Sequence, residues 1–294
     1  MVGGHAVEIC SEDSSVLASI RIQLEHLETD MTPVYRLTIA LADEKVEIPL
    51  EVSNRFTSDS YDAFIDFHSG AVIISSLGRH ETIALIKTSR FSYARPDMLR
   101  MLLQVVAGKT TFALHGGGIA WDLKQGILVT AKGGSGKSTA VAATVAGGAK
   151  TIGDDFILGR FSDKGTSLEG WSLFSSVRLE SSSPARGLFG DSDYPKHESK
   201  EIFNLDKQFP GCVEKVMEIS KIVIPSFSSN NFVESISNRE ALLAILPSSV
   251  GLSINRADAL AKISEMVKKL PTFKVGLTRD IRQNSQFLKE LASS

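Results

Sequence analysis

The sequence predicts an α/β fold in which a β-rich N-terminal region precedes a domain built around a strand, a loop and a helix. Two observations predict this arrangement. Short apolar or alternating runs, bounded by turn-forming residues, recur through 35–86 of the N-terminal region. Further along, an apolar strand at 126–130 leads into a glycine-rich segment and then into a helix of small residues. We therefore divide the chain into a β-rich region, 1–92, and a second domain, 93–294.

The strands predicted in the N-terminal region are short and flanked by turn residues. They cover 35–41, 46–50, 63–67, 71–74 and 82–86. A helix is predicted over 96–106, because Pro96 suits a first helical turn and Gly108 suits a stop. The role of the N-terminal region is not indicated by any motif.

Composition excludes several classes of function. The 294 residues carry a net charge of −2 with both signs scattered, so no basic stripe indicates a nucleic-acid partner. The two cysteines, Cys10 and Cys212, lie far apart, which fits a reducing compartment. No export signal is visible, and no apolar run approaches the roughly 20 residues of a membrane helix. We expect a cytoplasmic protein with no membrane or nucleic-acid partner.

Residues 131–139, AKGGSGKST, have the pattern of a phosphate-binding loop between a strand and a helix. Glycines let successive backbone N–H groups point at an anion, and the helix N-terminus adds its positive dipole end. The sequence therefore predicts a nucleoside triphosphate site, in which Lys137 contacts the β- and γ-phosphates and Ser138 contacts Mg²⁺. The predicted nucleotide contacts in the loop are Gly133, Gly134, Ser135, Gly136, Lys137, Ser138 and Thr139.

One position departs from the usual pattern, because Ala131 stands where glycine is usual. The alternative interpretation is a glycine and serine turn with an exposed lysine. The lysine, serine and threonine at the predicted helix start argue against that alternative, since both flanks of the loop also have the expected character.

Two further segments carry chemistry. Asp154 and Asp155 lie within 151–158, whose apolar residues predict a strand beside the loop. Paired carboxylates there suit a metal ligand and a proton acceptor, and the alternative is a solvated turn. His115 precedes three glycines just before the loop strand, which can bring its ring close to a ligand. The alternative is a structural histidine with glycines at a tight strand crossing.

The ordered set 114–116, 133–139 and 153–155 resembles the catalytic core of HPr kinase/phosphorylase. That core is similar to the ATP-dependent phosphoenolpyruvate carboxykinase fold. The resemblance is closer still to HPr-kinase-related serine kinases that phosphorylate precursor peptides, including lasso-peptide precursors. It covers about 95–290, and only these three motifs are specific. The spacing from Lys137 to Asp155 needs no gap against the HPr kinase pattern.

The resemblance implies a P-loop kinase core that uses ATP and Mg²⁺. Asp155 would be the general base, Lys137 the phosphate clamp, and His115 a neighbour of the transferred phosphoryl group. Ser138 and Asp154 would hold the metal.

Two more residues follow from the resemblance, each with an alternative. Arg178 would neutralise charge on the nucleotide, although a structural ion pair explains it equally well. Glu180 is a candidate second metal ligand, with a solvated strand carboxylate as the alternative. Since relatives often assemble, a homo-oligomer is also expected.

The chain departs from HPr kinase at two places. Its 184–189 segment lacks the glutamate of the family's Glu-x-Arg-Gly-Leu-Gly segment, and 228–231 replaces a Gly-Arg-Asn segment. These differences argue against HPr as the acceptor and against the reverse reaction. The stretch 181–200 reads as a mobile loop that gates or recognises an acceptor, or as a plain surface excursion.

The sequence thus predicts transfer of the ATP γ-phosphate to a serine-type hydroxyl of a peptide or protein. The alternatives are a P-loop NTPase with a regulatory or sensor role and a kinase of a small hydroxylated metabolite. A Leu-Ser-Gly-Gly-Gln transporter signature and an Asn-Lys-x-Asp base-recognition motif are both absent from the sequence.

Overall fold

The computed structural model describes residues 1–43, 45, 54–57, 61–66, 71–76, 79–87, 102, 111–162, 167–192, 200–252 and 256–294. The chain divides into two compact units, Met1–Gly108 and Lys109–Ser294. Each unit combines helices with sheet, so the predicted α/β class is confirmed at that level. The expected boundary at residue 92, the strand at 46–50 and nearly all of the helix at 96–106 lie outside the described residues.

The first unit contains one twisted sheet. Its strands are β1 (Val7–Ser11), β2 (Tyr35–Ala42), β3 (Asn54–Thr57), β4 (Tyr61–Asp66), β5 (Ala71–Ser76) and β6 (Glu81–Lys87). They lie in the order β1-β2-β6-β5-β4-β3, with β1, β2 and β6 parallel and the remaining pairs antiparallel. Four of the five predicted N-terminal strands are thereby confirmed, to within a few residues at their ends.

A helix in the first unit was not predicted. Helix α1 (Ser14–Leu24) begins after Asp13, whose carboxylate accepts a hydrogen bond from the Ser15 N–H at 2.8 Å. Its buried residues Val16, Ile20 and Leu24 recur every four positions and cover one face of the helix. The acidic N-cap and this spacing are the signals that the strand-based prediction overlooked.

The second unit contains a branched sheet and a separate strand pair. The sheet strands are β7 (Thr111–Leu114), β8 (Gly116–Ala120), β9 (Gly126–Thr130), β10 (Lys150–Thr151), β11 (Ile157–Phe161), β12 (Leu168–Ser172), β15 (Val216–Phe227), β16 (Phe232–Ser235) and β17 (Thr272–Leu277). The pair is β13 (Ser176–Glu180) and β14 (Lys200–Asn204). The order β10-β8-β9-β15-β12-β11-β7 forms the main path, and the far half of β15 pairs with β17, which pairs with β16.

Helices cover this sheet on both faces. They are α2 (Lys137–Ala146), the short α3 (Leu205–Gln208), α4 (Asn238–Ser249), α5 (Arg256–Lys269) and α6 (Ile281–Ser293). Short 3₁₀ turns lie at Glu25–Leu27 in the first unit and at Pro184–Leu188 and Val250–Leu252 in the second. None of the helices in the described part of the chain is both long enough and apolar enough to cross a membrane.

The side chains of β9 point alternately to the two faces of the sheet, which explains why helices cover both faces. Ile127 and Val129 pack into a core with residues of α2 and α6, whereas Leu128 packs into a second core with residues of α4 and α5. A strand whose successive side chains are all buried must lie between two layers, because those side chains point to opposite faces. The unit is therefore a three-layer α/β/α arrangement.

The glycines of β8 are required by packing. A Cβ on Gly117 would lie 2.7 Å from Val141 Cγ2 and 2.8 Å from the Gly153 carbonyl oxygen. A Cβ on Gly118 would lie 2.6 Å from Ile152 Cδ1. Only glycine lets α2 and the segment after β10 approach this strand so closely.

One sequence prediction is wrong in detail. The segment 151–158 is not one strand, because Gly153 and Asp155 have φ of +97° and +76°, which no extended strand accommodates. Instead β10 ends at Thr151, a turn carries both aspartates, and β11 begins at Ile157. Within the stretch 181–200, Pro184–Leu188 forms a 3₁₀ turn after the capping residue Ser183 and Lys200 begins β14, while 193–199 lie outside the described residues.

We predict that Gly118→Ala destabilises the second unit by about 1–3 kcal/mol, because the added methyl overpacks against Ile152. Both tryptophans of the chain, Trp121 and Trp171, lie in this unit, so their fluorescence during urea unfolding reports its stability. Gly187→Ala is the matched control, since a Cβ there meets nothing within 4 Å. Equal stability of the two variants would contradict the packing role of β8.

Candidate functional site

The glycine-rich segment connects β9 to α2 and has an open, unusual backbone. Gly134 and Gly136 have φ of +76° and +95°, and Gly136 is the N-cap of α2. A Cβ on Gly133 or Gly134 would meet nothing within 4 Å. Glycine adopts the left-handed conformation more readily than other residues. This conformation turns backbone N–H groups toward one side of a loop. The predicted anion-binding geometry is therefore consistent with the backbone.

Lys137 is buried at the base of this loop. Its ammonium donates hydrogen bonds to the carbonyl oxygens of Ala131 and Lys132 at 2.9 and 3.1 Å. Burial lowers the pKa of Lys137, while the nearby carboxylates of Asp154 and Asp155 act in the opposite direction. The ammonium is thus held against the inner side of the loop rather than extended into solvent.

Asp155 lies between two basic side chains. Its Oδ1 is 3.2 Å from His115 Nε2, and its Oδ2 is 3.2 Å from Arg178 Nη1. The carbonyl oxygen of Asp155 accepts a hydrogen bond from the Gly116 N–H at 3.1 Å, which ties the turn to the start of β8. The carboxylate is largely buried and fixed at both oxygens, as a precisely oriented proton acceptor requires.

His115 is held by its own backbone between two elements. Its N–H donates to Ser249 Oγ at 3.1 Å, at the end of α4, and its carbonyl accepts from Thr130 Oγ1 at 2.8 Å, at the end of β9. The imidazole also lies near the Phe156 ring, with 5.6 Å between the ring centres. The position of the ring beside Asp155 therefore depends on α4 and β9 together.

Asp154, the residue before Asp155, is fully buried. The turn around it is held by Thr151, whose hydroxyl donates to the Gly118 carbonyl at 2.7 Å and accepts from the Gly153 N–H at 3.0 Å. Among the carboxylates that favour the charged form of Lys137, Asp154 has the larger effect. Its clearest contribution in the structure is thus electrostatic support of that lysine.

A cleft of about 880 Å³ joins these features. Its lining consists of His115, Gly133, Gly134, Ser135, Gly136, Lys137, Ser138, Thr139, Asp155, Arg178, Leu179, Glu180, Ser182, Ser183, Pro184, Lys200, Phe227, Ser228, Ser229 and Arg279. All of the predicted nucleotide contacts and predicted catalytic residues line this one cleft. Asp154, a predicted metal ligand, does not.

Sequence reasoning did not single out several residues of the lining, among them Lys200, Phe227 and Arg279. Neither Lys200 nor Arg279 forms an ion pair with any acid in the described ranges, whereas Arg178 pairs with Asp155. Lys200 is near enough to lower the pKa of Lys137 by charge repulsion. Lys200 begins β14, Phe227 ends β15 and Arg279 lies between β17 and α6, with no local motif in common, so only the folded chain could reveal them.

The cleft suits a polyphosphate with a bound metal ion. Four cationic side chains and a helix N-terminus face two carboxylates, which favours an anionic ligand. No group of three histidine, cysteine or acidic side chains within the described ranges could hold a metal by itself. Magnesium commonly takes one or two protein oxygens together with substrate phosphates, and Ser138 and Glu180 are oxygen donors in the lining.

Comparison with solved structures gives structural likenesses, among them one to a kinase/phosphatase. The solved structure of the Hpr(Ser) kinase/phosphatase from Coxiella burnetii is similar to this chain with a TM-score of 0.36 and 14% sequence identity. The likeness covers 63% of this chain and 95% of that chain. No protein-family model and no curated protein matches the sequence. A likeness of this size does not establish what the chain binds or catalyses.

We predict that Ser249→Ala destabilises the second unit by about 1–3 kcal/mol, because it removes the acceptor for the His115 N–H. Tryptophan-monitored urea unfolding measures the change. Ser248→Ala is the matched control, since that neighbouring hydroxyl makes longer bonds to Ile245 and Ala131 carbonyls, at 3.2 and 3.5 Å. The interpretation fails if Ser248→Ala costs as much stability as Ser249→Ala.

Proposed function

We propose that this protein transfers the γ-phosphate of ATP to a serine-type hydroxyl of a peptide or protein. The observation that carries the proposal is the position of Asp155, which lines the same cleft as the glycine-rich loop and is fixed by His115 and Arg178. A phosphate-binding loop alone fits any nucleotide-binding protein. A fixed carboxylate beside that loop provides a proton acceptor where an attacking hydroxyl would enter.

The loop and its cations supply positioning and electrostatic stabilisation. Backbone N–H groups of 133–137 and the N-terminus of α2 would bind the phosphate oxygens, and Lys137 would turn from its loop carbonyls to the β- and γ-phosphates. Arg178 and Lys200 lie where they can offset negative charge on the transferred group. Phosphoryl transfer asks little covalent work of a protein, so these interactions would supply most of the rate.

Asp155 would act as the general base. The acceptor hydroxyl gives its proton to the carboxylate while its oxygen forms a bond to the γ-phosphorus, and the bond from that phosphorus to the bridging oxygen breaks to release ADP. Each carboxylate oxygen has two lone-pair sites, so the contacts to His115 and Arg178 leave acceptor capacity for this proton. His115 would orient Asp155, as well as lying beside the transferred group.

Magnesium, when bound, would offset charge on the phosphate oxygens. Ser138 would be one protein ligand, as its place in the loop predicts. We assign the carboxylate ligand to Glu180, because Glu180 lines the cleft and Asp154 is buried beneath it. The role of Asp154 would then be to keep Lys137 charged.

We predict that Asp155→Asn retains ATP binding and lowers phosphoryl transfer about 10²–10⁴-fold, because the general base is lost. The measurement is mass spectrometry of candidate peptides, carrier proteins and a metabolite extract after incubation with Mg²⁺ and γ-¹⁸O-labelled ATP. Asp122→Asn, which changes an exposed aspartate outside the cleft, is the matched control.

The products distinguish the candidate functions. Labelled phosphate on a serine of a peptide or protein, absent with Asp155→Asn, supports the proposal, and label on a small metabolite identifies the metabolite kinase instead. Labelled free phosphate that no acceptor changes indicates a regulatory or sensor NTPase. Undiminished transfer by Asp155→Asn would remove Asp155 from the role of base.

We predict that Lys137→Ala abolishes the stabilisation that ATP and Mg²⁺ give to the folded protein, because the buried cation of the loop is lost. The midpoint of thermal unfolding with and without ATP measures this effect. Lys132→Ala is the matched control, since this exposed lysine of the same loop does not line the cleft. Loss of ATP stabilisation in both variants would show that the loop, rather than Lys137, was damaged.

A further inference from the structure

Phe227 is an aromatic residue that the proposed chemistry does not use. It ends β15, its side chain is 54% exposed, and it lines the cleft. A Cβ on Gly136 would lie 3.4 Å from Phe227 Cζ, so the ring stands directly beside the glycine-rich loop. In the described part of the cleft it is the one phenyl side chain among mostly polar and charged residues.

The sheet topology fixes which side of the loop this ring occupies. Strand β8 is antiparallel to β9 and pairs Gly116 with Thr130, so His115 and the reacting groups lie on one flank of the loop that follows β9. Strand β15 is parallel to β9 on the opposite side, pairs Val223 with Val129, and runs on to Phe227. The loop therefore lies between Asp155 on one flank and Phe227 on the other.

A nucleotide bound in the loop has two ends with different chemistry. Its γ-phosphate end must lie on the flank of Asp155, where the proton acceptor stands. The nucleoside end then extends toward the opposite flank, where an exposed phenyl ring offers a flat apolar surface. Bases stack on aromatic side chains irrespective of their hydrogen-bonding pattern, because every base presents a π-face.

We infer that Phe227 is the platform on which the nucleobase stacks, so that the cleft contains a base subsite beside the phosphate loop. The inference rests on the proposed nucleotide binding and identifies the ligand of this flank as a heteroaromatic ring. Stacking on a single phenyl ring does not distinguish adenine from guanine. Phe227 therefore contributes to affinity for nucleotides over other polyphosphates rather than to the choice of base.

Arg279 provides an internal comparison on the same flank. Phe227 pairs in register with Leu277 of the parallel strand β17, and Arg279 follows two residues later. Its guanidinium lines the cleft without an ion pair to any acid in the described ranges. The charge of Arg279 acts on phosphates whether or not a base is attached to them, whereas the ring of Phe227 acts on the base alone.

The test compares the affinities for ATP, GTP and inorganic tripolyphosphate, all with Mg²⁺, by isothermal titration calorimetry. Phe227→Leu should weaken ATP and GTP binding by about 5- to 150-fold and leave tripolyphosphate binding unchanged, because only the ring is lost. Phe227→Tyr should restore nucleotide affinity, since the ring is retained. Arg279→Gln should weaken all three ligands together.

Four results would overturn the inference. Equal loss of tripolyphosphate and ATP affinity in Phe227→Leu would mean that the ring supports the loop. Unchanged ATP affinity, with or without a change in the KM of the acceptor, would mean that the base lies elsewhere. If the wild-type protein binds tripolyphosphate as tightly as ATP, it has no base subsite. If the wild-type protein binds neither ligand, the proposed function is contradicted as well.

Discussion

The close approach of backbones around β8 is the constraint on which the rest of the site depends. Because Gly117 and Gly118 have no side chain, α2 and the turn after β10 can pack directly against the strand. No space remains there for a Cβ. If β8 and the turn after β10 lay further apart, Asp155 would lie further from His115. Asp155 follows Ile152 in that turn, and His115 directly precedes Gly116 of β8. The glycines therefore help to position the predicted catalytic residues Asp155 and His115 through packing.

The two halves of the cleft follow from the directions of the strands. Because β8 is antiparallel and β15 parallel to β9, the loop after β9 has the start of one neighbour and the end of the other beside it. The start of β8 places His115 beside the loop, and the end of β15 places Phe227 beside it on the other flank. The proposed reacting end and base end on opposite flanks of the loop would thus be consequences of strand order, which would set the direction of a bound nucleotide.

Charge is distributed to match this direction. Burial lowers the pKa of Lys137, and the carboxylates of Asp154 and Asp155 raise it in partial compensation. Lys200 and Arg279 remain unpaired with acids of the described chain, so they are available to an anionic ligand. The walls of the cleft thereby carry these positive charges, although the net charge of the whole chain is near zero.

The sequence by itself determined the local features: the strand, loop and helix of 126–146, the need for glycine in the loop, and most strands of the first unit. Each depends on near neighbours in the chain, which is why periodicity and turn residues indicated them. Only the tertiary structure decided that Asp154 turns inward while Asp155 turns to the cleft, that α1 forms in a strand-rich region, and that Lys200, Phe227 and Arg279 join the site. The physical reason is that these outcomes depend on packing between elements distant in sequence, and in particular on left-handed conformations at Gly153 and Asp155 that no apolar pattern encodes.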